Sequence, residues 1–190
     1  MAELKHKKES TFNQNRGFTL VETLVAISIL SISILGVFTA VQSGLHKSSY
    51  ARDEVTAFYL AQEAVEYIRN IRDSNGIASY KNIQSSGTPL DNWLSRLTSC
   101  ISTTCVVDPV TDTITPTTSP SPLYQNGTTF LFGQTTGTGW TASRFTRTIR
   151  LDPLATDLTY KREIMATVTI NWGTNSFVVK ELFTNNKPSK

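Results

Sequence analysis

The sequence predicts an α+β protein in which one long N-terminal helix packs, along its second half, on a small head of antiparallel strands. Three observations predict this fold. Residues 18–41 (FTLVETLVAISILSISILGVFTAV) are almost wholly apolar, and residues 50–72 carry apolar side chains at three- and four-residue steps. The last third of the chain alternates apolar and polar residues. We therefore expect the helix over residues 18–72 and the head over residues 73–190.

The apolar stretch at residues 18–41 predicts a membrane-spanning helix. As a helix it would be about 36 Å long, enough to cross a hydrocarbon layer of about 30 Å. Four of the 18 basic residues of the chain lie in residues 1–17, directly before this stretch. The positive-inside rule keeps such a terminus in the cytoplasm and exports the remainder. A fully soluble cytoplasmic enzyme is disfavoured.

Glu22 is the one charged residue inside the apolar stretch. A charge at the membrane centre costs about 2.5 to 3.5 kcal/mol on insertion scales, so such a residue usually has a partner. One alternative is that Glu22 lies near the cytoplasmic end and reaches the headgroups. A plain uncleaved anchor would then suffice. An ordinary secretory signal, cut near residues 41–43, is disfavoured because the apolar stretch is too long.

The order of residues 16–22, Arg-Gly-Phe-Thr-Leu-Val-Glu, followed by an unbroken apolar helix, resembles the type IV prepilin signal. This resemblance implies a cytoplasmic-side cut between Gly17 and Phe18 by a prepilin peptidase. It also implies removal of residues 1–17 as a leader and N-methylation of Phe18 by the same enzyme. Glu22 then stands fifth in the mature chain, where the family has a glutamate that neutralises the terminal amine of a neighbouring subunit.

The resemblance further implies a structural subunit with the type IV pilin-like fold, its residues 18–41 lying first in the inner membrane and then in a filament core. Its partners would be other pilin or pseudopilin subunits and the assembly platform. The N-terminus would be inside and the head outside, later on a cell-surface pilus or a periplasmic type II secretion pseudopilus. The VETLVAI and YLAQEAVEYIR segments and the lack of proline before Pro89 look more like minor pilins or pseudopilins than like an abundant shaft subunit.

Two other functions remain open at this point. One is a monomeric, single-pass, membrane-anchored extracellular binding protein that never polymerises. The other is a DNA-uptake competence pilin, for which Arg144, Arg147 and Arg150 in one predicted strand would form the basic patch. Arg144 and Arg150 would share a face of that strand, with Arg147 on the opposite face. We expect ordinary sheet-surface charge there, so DNA is a disfavoured partner.

Within the predicted helix, the residues at three- and four-residue steps predict the side that packs on the head. They are Val55, Phe58, Tyr59, Val65 and Ile68. A second, short helix is predicted over residues 89–98, with Thr88 as its cap and Trp93, Leu94 and Leu97 facing inward. Residues 111–122 (TDTITPTTSPSP) predict a solvated Thr/Ser/Pro-rich loop without regular structure.

Three strands are predicted in the last third, over residues 144–151, 162–172 and 177–184. In the second of them, every other residue from Ile164 to Trp172 is apolar and predicts one buried face. Residues 173–176 predict a four-residue hairpin loop between the last two strands.

Cys100 and Cys105, the only two cysteines, lie in the part predicted to be exported, so we expect a disulfide between them. A metal site would need more ligands, because the only histidines are His6 and His46. The glycines of residues 133–139 do not lead from a strand into a helix and predict no phosphate loop. We therefore expect no cofactor, no metal and no enzymatic activity.

Overall fold

The structure is a computed structural model that describes residues 17–86, 93–154 and 163–185. The chain forms two compact units, one ending at Ser48 and one beginning at Ser49. The described elements are a helix, α1 (Leu20–Ser86), a 3-10 turn (Thr98–Cys100) and strands in two antiparallel sheets. The strands are β1 Thr104–Asp108, β2 Thr113–Pro116, β3 Tyr124–Asn126, β4 Phe132–Gly133, β5 Trp140–Ala142, β6 Phe145–Pro153, β7 Glu163–Trp172 and β8 Asn175–Thr184. The predicted α+β class is confirmed.

In the first unit, every described residue from 17 to 48 is exposed. Most of these side chains are apolar, and by length and composition this part of α1 could cross a membrane. Two of its hydroxyl groups are satisfied internally, since Ser28 and Ser33 each donate to the backbone carbonyl four residues earlier, at 2.8 Å. Such internal bonds suit a helix whose surroundings offer no water.

In the second unit, α1 buries one side against the head. The buried residues are Ala57, Leu60, Ala61, Ala64, Val65, Ile68 and Ile71. The predicted stripe is therefore right for Val65 and Ile68 and wrong for Val55, Phe58 and Tyr59, which are exposed. Three of these seven residues are alanines that are 0% exposed, so small side chains as well as large ones form the side that packs on the head.

The helix also extends beyond the predicted end at residue 72, to Ser86. Asn75 stabilises this extension, because its side-chain amide donates to the backbone carbonyls of Trp93 and Ser95, each at 3.1 Å. The helix predicted over residues 89–98 is wrong for residues 93–98. Residues 87–92 lie outside the described part, residues 93–97 form turns, and the 3-10 turn follows. Trp93, Leu94 and Leu97 are nevertheless buried, as predicted.

The main sheet has the order β2-β1-β6-β7-β8, and all its strand pairs are antiparallel. Strand β7 lies inside it and buries every other residue from Ile164 to Trp172, as the alternation predicts. The four-residue hairpin is wrong. Trp172 pairs with Asn175, so only Gly173 and Thr174 form the turn, with Gly173 at φ 56°. Glycine adopts that backbone conformation without steric cost.

Residues 111–122 are not free of regular structure, because they contain β2. This strand is short, lies at the edge of the sheet and ends at Pro116. Proline has no N–H to donate, and a position at the end of an edge strand tolerates this loss. The rest of the predicted loop, from Thr117 to Pro122, contains no strand.

The small sheet has the order β4-β3-β5, and a buried carboxylate ties it to β1. Asp108 accepts hydrogen bonds from the Val110 and Gln134 N–H groups at 3.0 and 2.9 Å and from the Thr111 hydroxyl at 2.8 Å. Gly133 lies against it, since a Cβ there would be 3.0 Å from an Asp108 oxygen. Glycine is needed for this close approach.

Cys100 and Cys105 form a disulfide and are both buried in the core. Their Cα atoms are 5.6 Å apart. The bridge links the 3-10 turn to β1 and closes a short loop next to Leu97. Because disulfides persist in oxidising compartments, this bridge fits an exported head.

Arg147, which was expected on the sheet surface, is fully buried between β6 and α1. Its guanidinium donates to the Glu63 carboxylate, to the Leu60 carbonyl at 3.3 Å and to the Val107 carbonyl at 3.1 Å. The ion pair and the two carbonyls offset part of the cost of removing the charge from water, since the buried Nε has no hydrogen-bond partner among the described residues. One side chain thus joins the helix to two strands of the main sheet.

We expect Arg147→Met to destabilise the protein by about 3 to 5 kcal/mol, because Glu63 and the two carbonyls lose their donor. Arg150→Met is the matched control, since Arg150 is exposed and its guanidinium binds the carboxylate of Asp152, and should change stability by less than about 0.5 kcal/mol. Adding Glu63→Leu to Arg147→Met should recover much of the loss. Denaturant unfolding of the full chain in detergent measures all three. Equal effects of the two single substitutions would contradict this role of Arg147.

Candidate functional site

The first candidate site is the short non-helical segment of residues 17–19, directly before α1. Gly17 is exposed, and the Phe18 side chain is 79% exposed. A Cβ added at Gly17 would meet nothing within 4 Å. The predicted cleavage bond between Gly17 and Phe18 therefore lies in open, non-helical chain. A peptidase requires such access to the backbone.

Thr19 caps the helix that follows. The Glu22 N–H donates to its hydroxyl oxygen at 3.3 Å, and the Thr23 N–H donates to its carbonyl at 3.2 Å. A threonine followed three residues later by glutamate is the sequence pattern of a capping box. This role of Thr19 was not predicted from the sequence, although that spacing signals it. The cap sets the start of α1 at Leu20 and leaves Phe18 outside the helix.

Glu22 lies in the first turn of α1 and is exposed. A negative charge is favoured there, because the free N–H groups give the helix N-terminus a partial positive charge. Among residues 17–86, 93–154 and 163–185, the Glu22 carboxylate has no ion pair or side-chain hydrogen bond in the structure. It is available to a partner outside the described chain.

Together these residues define what the segment can do chemically. Cleavage after Gly17 would create an amine on Phe18, which with an ordinary pKa near 7.7 to 8.0 is largely cationic at neutral pH. Glu22 supplies an anion within one helical turn of that position. A cation and an anion at one end of an apolar helix can pair within a chain or between chains.

A second cluster lies on the head surface, where Tyr67 of α1 meets Arg96 and Asp112. The Tyr67 hydroxyl donates to an Asp112 carboxylate oxygen at 2.8 Å, and Arg96 donates to the same oxygen at 2.8 Å. Arg96 and Asp112 both have positive φ, 68° and 55°. This conformation is unfavourable for non-glycine residues. The three side chains hold two such turns against the helix, which is a structural role.

This cluster changes the proton affinity of its members. Burial and the hydrogen bond to Asp112 raise the pKa of Tyr67 to about 12. The hydrogen bonds from Arg96 and then from Tyr67 lower the pKa of Asp112. Tyr67 therefore contributes stability below its ordinary pKa of 10.0, and this is lost as pH rises through about 12. Asp112 contributes stability above its ordinary pKa, and this is lost as pH falls through the lowered pKa.

The basic residues of the possible DNA patch are paired with carboxylates. Arg144 lies just before β6 and contacts Asp53 at 2.8 Å, and Arg150 contacts Asp152 at 2.9 Å. Arg147, the third of the set, is buried. The structure does not bring these three arginines together as one exposed basic surface.

The described residues contain no group of three or more His, Cys, Asp or Glu side chains that could hold a metal ion. The two cysteines are joined to each other. His46 lies on α1 in the first unit, and His6 lies outside the described residues.

Comparison with known families finds a match to the model of the prokaryotic N-terminal methylation motif over residues 12–38. The matched range contains Gly17, Phe18 and Glu22. The chain thus carries a prepilin-type signal, which supports a type IV pilin-like structural subunit and implies processing by a prepilin peptidase and assembly with other pilins. Searches of curated proteins and of solved structures returned no match.

The tyrosine cluster gives a testable titration. The difference in ultraviolet absorbance between the parent protein and Tyr67→Phe should titrate with a midpoint near pH 12. In an Asp112→Asn background the same difference should titrate at lower pH, because the charged acceptor is gone. Asp73→Asn, which removes a surface carboxylate that contacts Arg72, should leave the midpoint unchanged. An Asp112→Asn midpoint equal to the parent value would contradict the proposed coupling.

Proposed function

We propose that the protein is a minor pilin or pseudopilin. In this account prepilin peptidase cuts it between Gly17 and Phe18, Phe18 is N-methylated, and the mature chain enters a type IV pilus or a related type II secretion pseudopilus. The observation that carries the proposal is the methylation signal over residues 12–38. From Leu20 onward, this signal forms a helix whose apolar side chains are exposed on all sides. The head, residues 73–190, is displayed outside the cytoplasmic membrane.

The apolar part of α1 supports assembly because no other described part of the chain covers it. Exposed Leu, Ile, Val and Phe side chains occur on every side of the helix between residues 20 and 45. Such a surface is stable in lipid and also in a bundle of similar helices. The same residues thus suit both the membrane-anchored precursor and the filament core.

Glu22 supplies the selectivity of assembly. When the helix leaves the bilayer for a filament core, an unpaired amine or carboxylate in low dielectric costs several kcal/mol. Pairing the Glu22 carboxylate with the N-methylated amine of a neighbouring subunit removes both penalties. Only one register of neighbouring helices allows that pairing, so the charge pair sets the position of each incoming subunit.

Glu22→Gln should lower the incorporation of the mature chain into sheared filaments by tenfold or more, because the neutral amide leaves the amine unpaired. Glu54→Gln is the matched control, since Glu54 is an exposed glutamate of the same helix, and should be incorporated normally. Quantitative immunoblots of filament and membrane fractions measure both. Normal incorporation of Glu22→Gln would contradict the pairing. A membrane-bound parent protein absent from filaments would favour the monomeric anchored binding protein.

A further inference from the structure

The two edges of the main sheet are unequal. One edge strand, β2, has four residues and ends in a proline, which limits pairing with another chain. The other, β8, has ten residues without proline and pairs with β7 along its whole length. In the parts of the chain that the structure describes, no strand pairs with the outer side of β8.

The hairpin geometry identifies the backbone groups on that outer side. A two-residue turn closes with Trp172 and Asn175 as a hydrogen-bonded pair, and bonded pairs then alternate along an antiparallel ladder. The N–H and C=O groups of Ser176, Val178, Lys180 and Leu182 therefore point away from β7. They form a regular row of donors and acceptors at the edge.

The same residues present a distinctive set of side chains. Val178 and Leu182 are 48% and 45% exposed, and Lys180 lies between them on the same face. Lys180 forms no ion pair with any residue in the described ranges. On the opposite face, the ring of Phe177 lies 6.1 Å from that of Phe58 on α1, and Phe58 remains 48% exposed. The edge therefore has apolar surface on both faces, with Lys180 at the centre of the outer face. On the face of α1, the same strand also has the Arg69–Glu181 ion pair and Arg72 over the Phe183 ring.

We propose that the outer edge of β8 binds an extended segment of another protein by adding a strand to the main sheet. The backbone ladder supplies affinity, and the side chains select the segment. On the face of Val178 and Leu182 the segment carries two apolar residues with an acidic residue between them, opposite Lys180. On the other face, apolar residues cover the exposed part of Phe58.

In the register that aligns its apolar side chains, a second copy of this chain fits the edge less well. The antiparallel register that places Val178 opposite Leu182 of the second copy also places Lys180 opposite the same lysine. Like charges directly opposite each other destabilise a strand pair. An acidic segment meets that lysine with the opposite charge, so the charge of the edge favours a different polypeptide.

Fluorescence anisotropy with the full chain in detergent tests this with two labelled peptides, Thr-Val-Ile-Thr-Asp-Thr-Val-Val-Thr and the same peptide with lysine in place of aspartate. The acidic peptide should bind about two- to fivefold more tightly. Lys180→Glu should reverse that preference. Val178→Pro, which removes an outward N–H, should weaken both peptides about tenfold or more, whereas Val178→Thr keeps the N–H and should bind both.

Leu182→Pro is a second variant at an outward N–H, so the test does not depend on Val178→Pro folding. Three results would overturn the proposal. The first is that neither peptide binds at about 1 mM. The second is that the parent and both proline variants bind the peptides equally. The third is that the parent forms a concentration-dependent dimer that Val178→Pro abolishes. Glu22→Gln should bind the peptides normally. Loss of peptide binding can therefore be distinguished from loss of filament assembly.

Discussion

One helix has to satisfy two environments, and the rest of the structure follows from that constraint. From Leu20 to Val41, α1 is exposed and largely apolar on all sides, as lipid or a bundle of like helices requires. From Ala57 to Ile71 the same helix buries one side in the head core. The change from an all-round to a one-sided apolar surface within one element is what the proposed function requires of a chain that is anchored first and assembled later.

The head is fixed to its part of the helix by shape and by one buried charge. Three alanines, at positions 57, 61 and 64, are fully buried on the packed side of the helix, and Arg147 donates to Glu63, to the Leu60 carbonyl and to the Val107 carbonyl of β1. Apolar contacts alone would tolerate a shifted helix. A shifted helix would remove Glu63 and the Leu60 carbonyl from the reach of Arg147, so this side chain gives the docking a defined register.

The α+β class, the strands of the last third and the methylation signal could be predicted from the sequence, because they depend on local period and spacing. The packing side of α1 could not. The three- and four-residue spacing of large apolar residues in α1 assigns them to the core. In the structure, however, Ala57, Ala61 and Ala64 are buried, whereas Phe58 and Tyr59 are exposed. Burial of Arg147 depends on Glu63, 84 residues away in the chain, so no local pattern indicates it. At the site, Gly17, Phe18 and Glu22 were singled out, but Thr19 was not.

The most direct test of the account is mass spectrometry of sheared filaments and membranes from the native host, searching for a peptide that begins at residue 18. We predict an N-methylated Phe18 terminus in filaments, less abundant than that of another pilin. Gly17→Val, which meets no steric contact in the fold, should retain residues 1–17 and stay in the membrane. Parent chains found only with residues 1–17 intact, and only in membranes, would contradict the central claim.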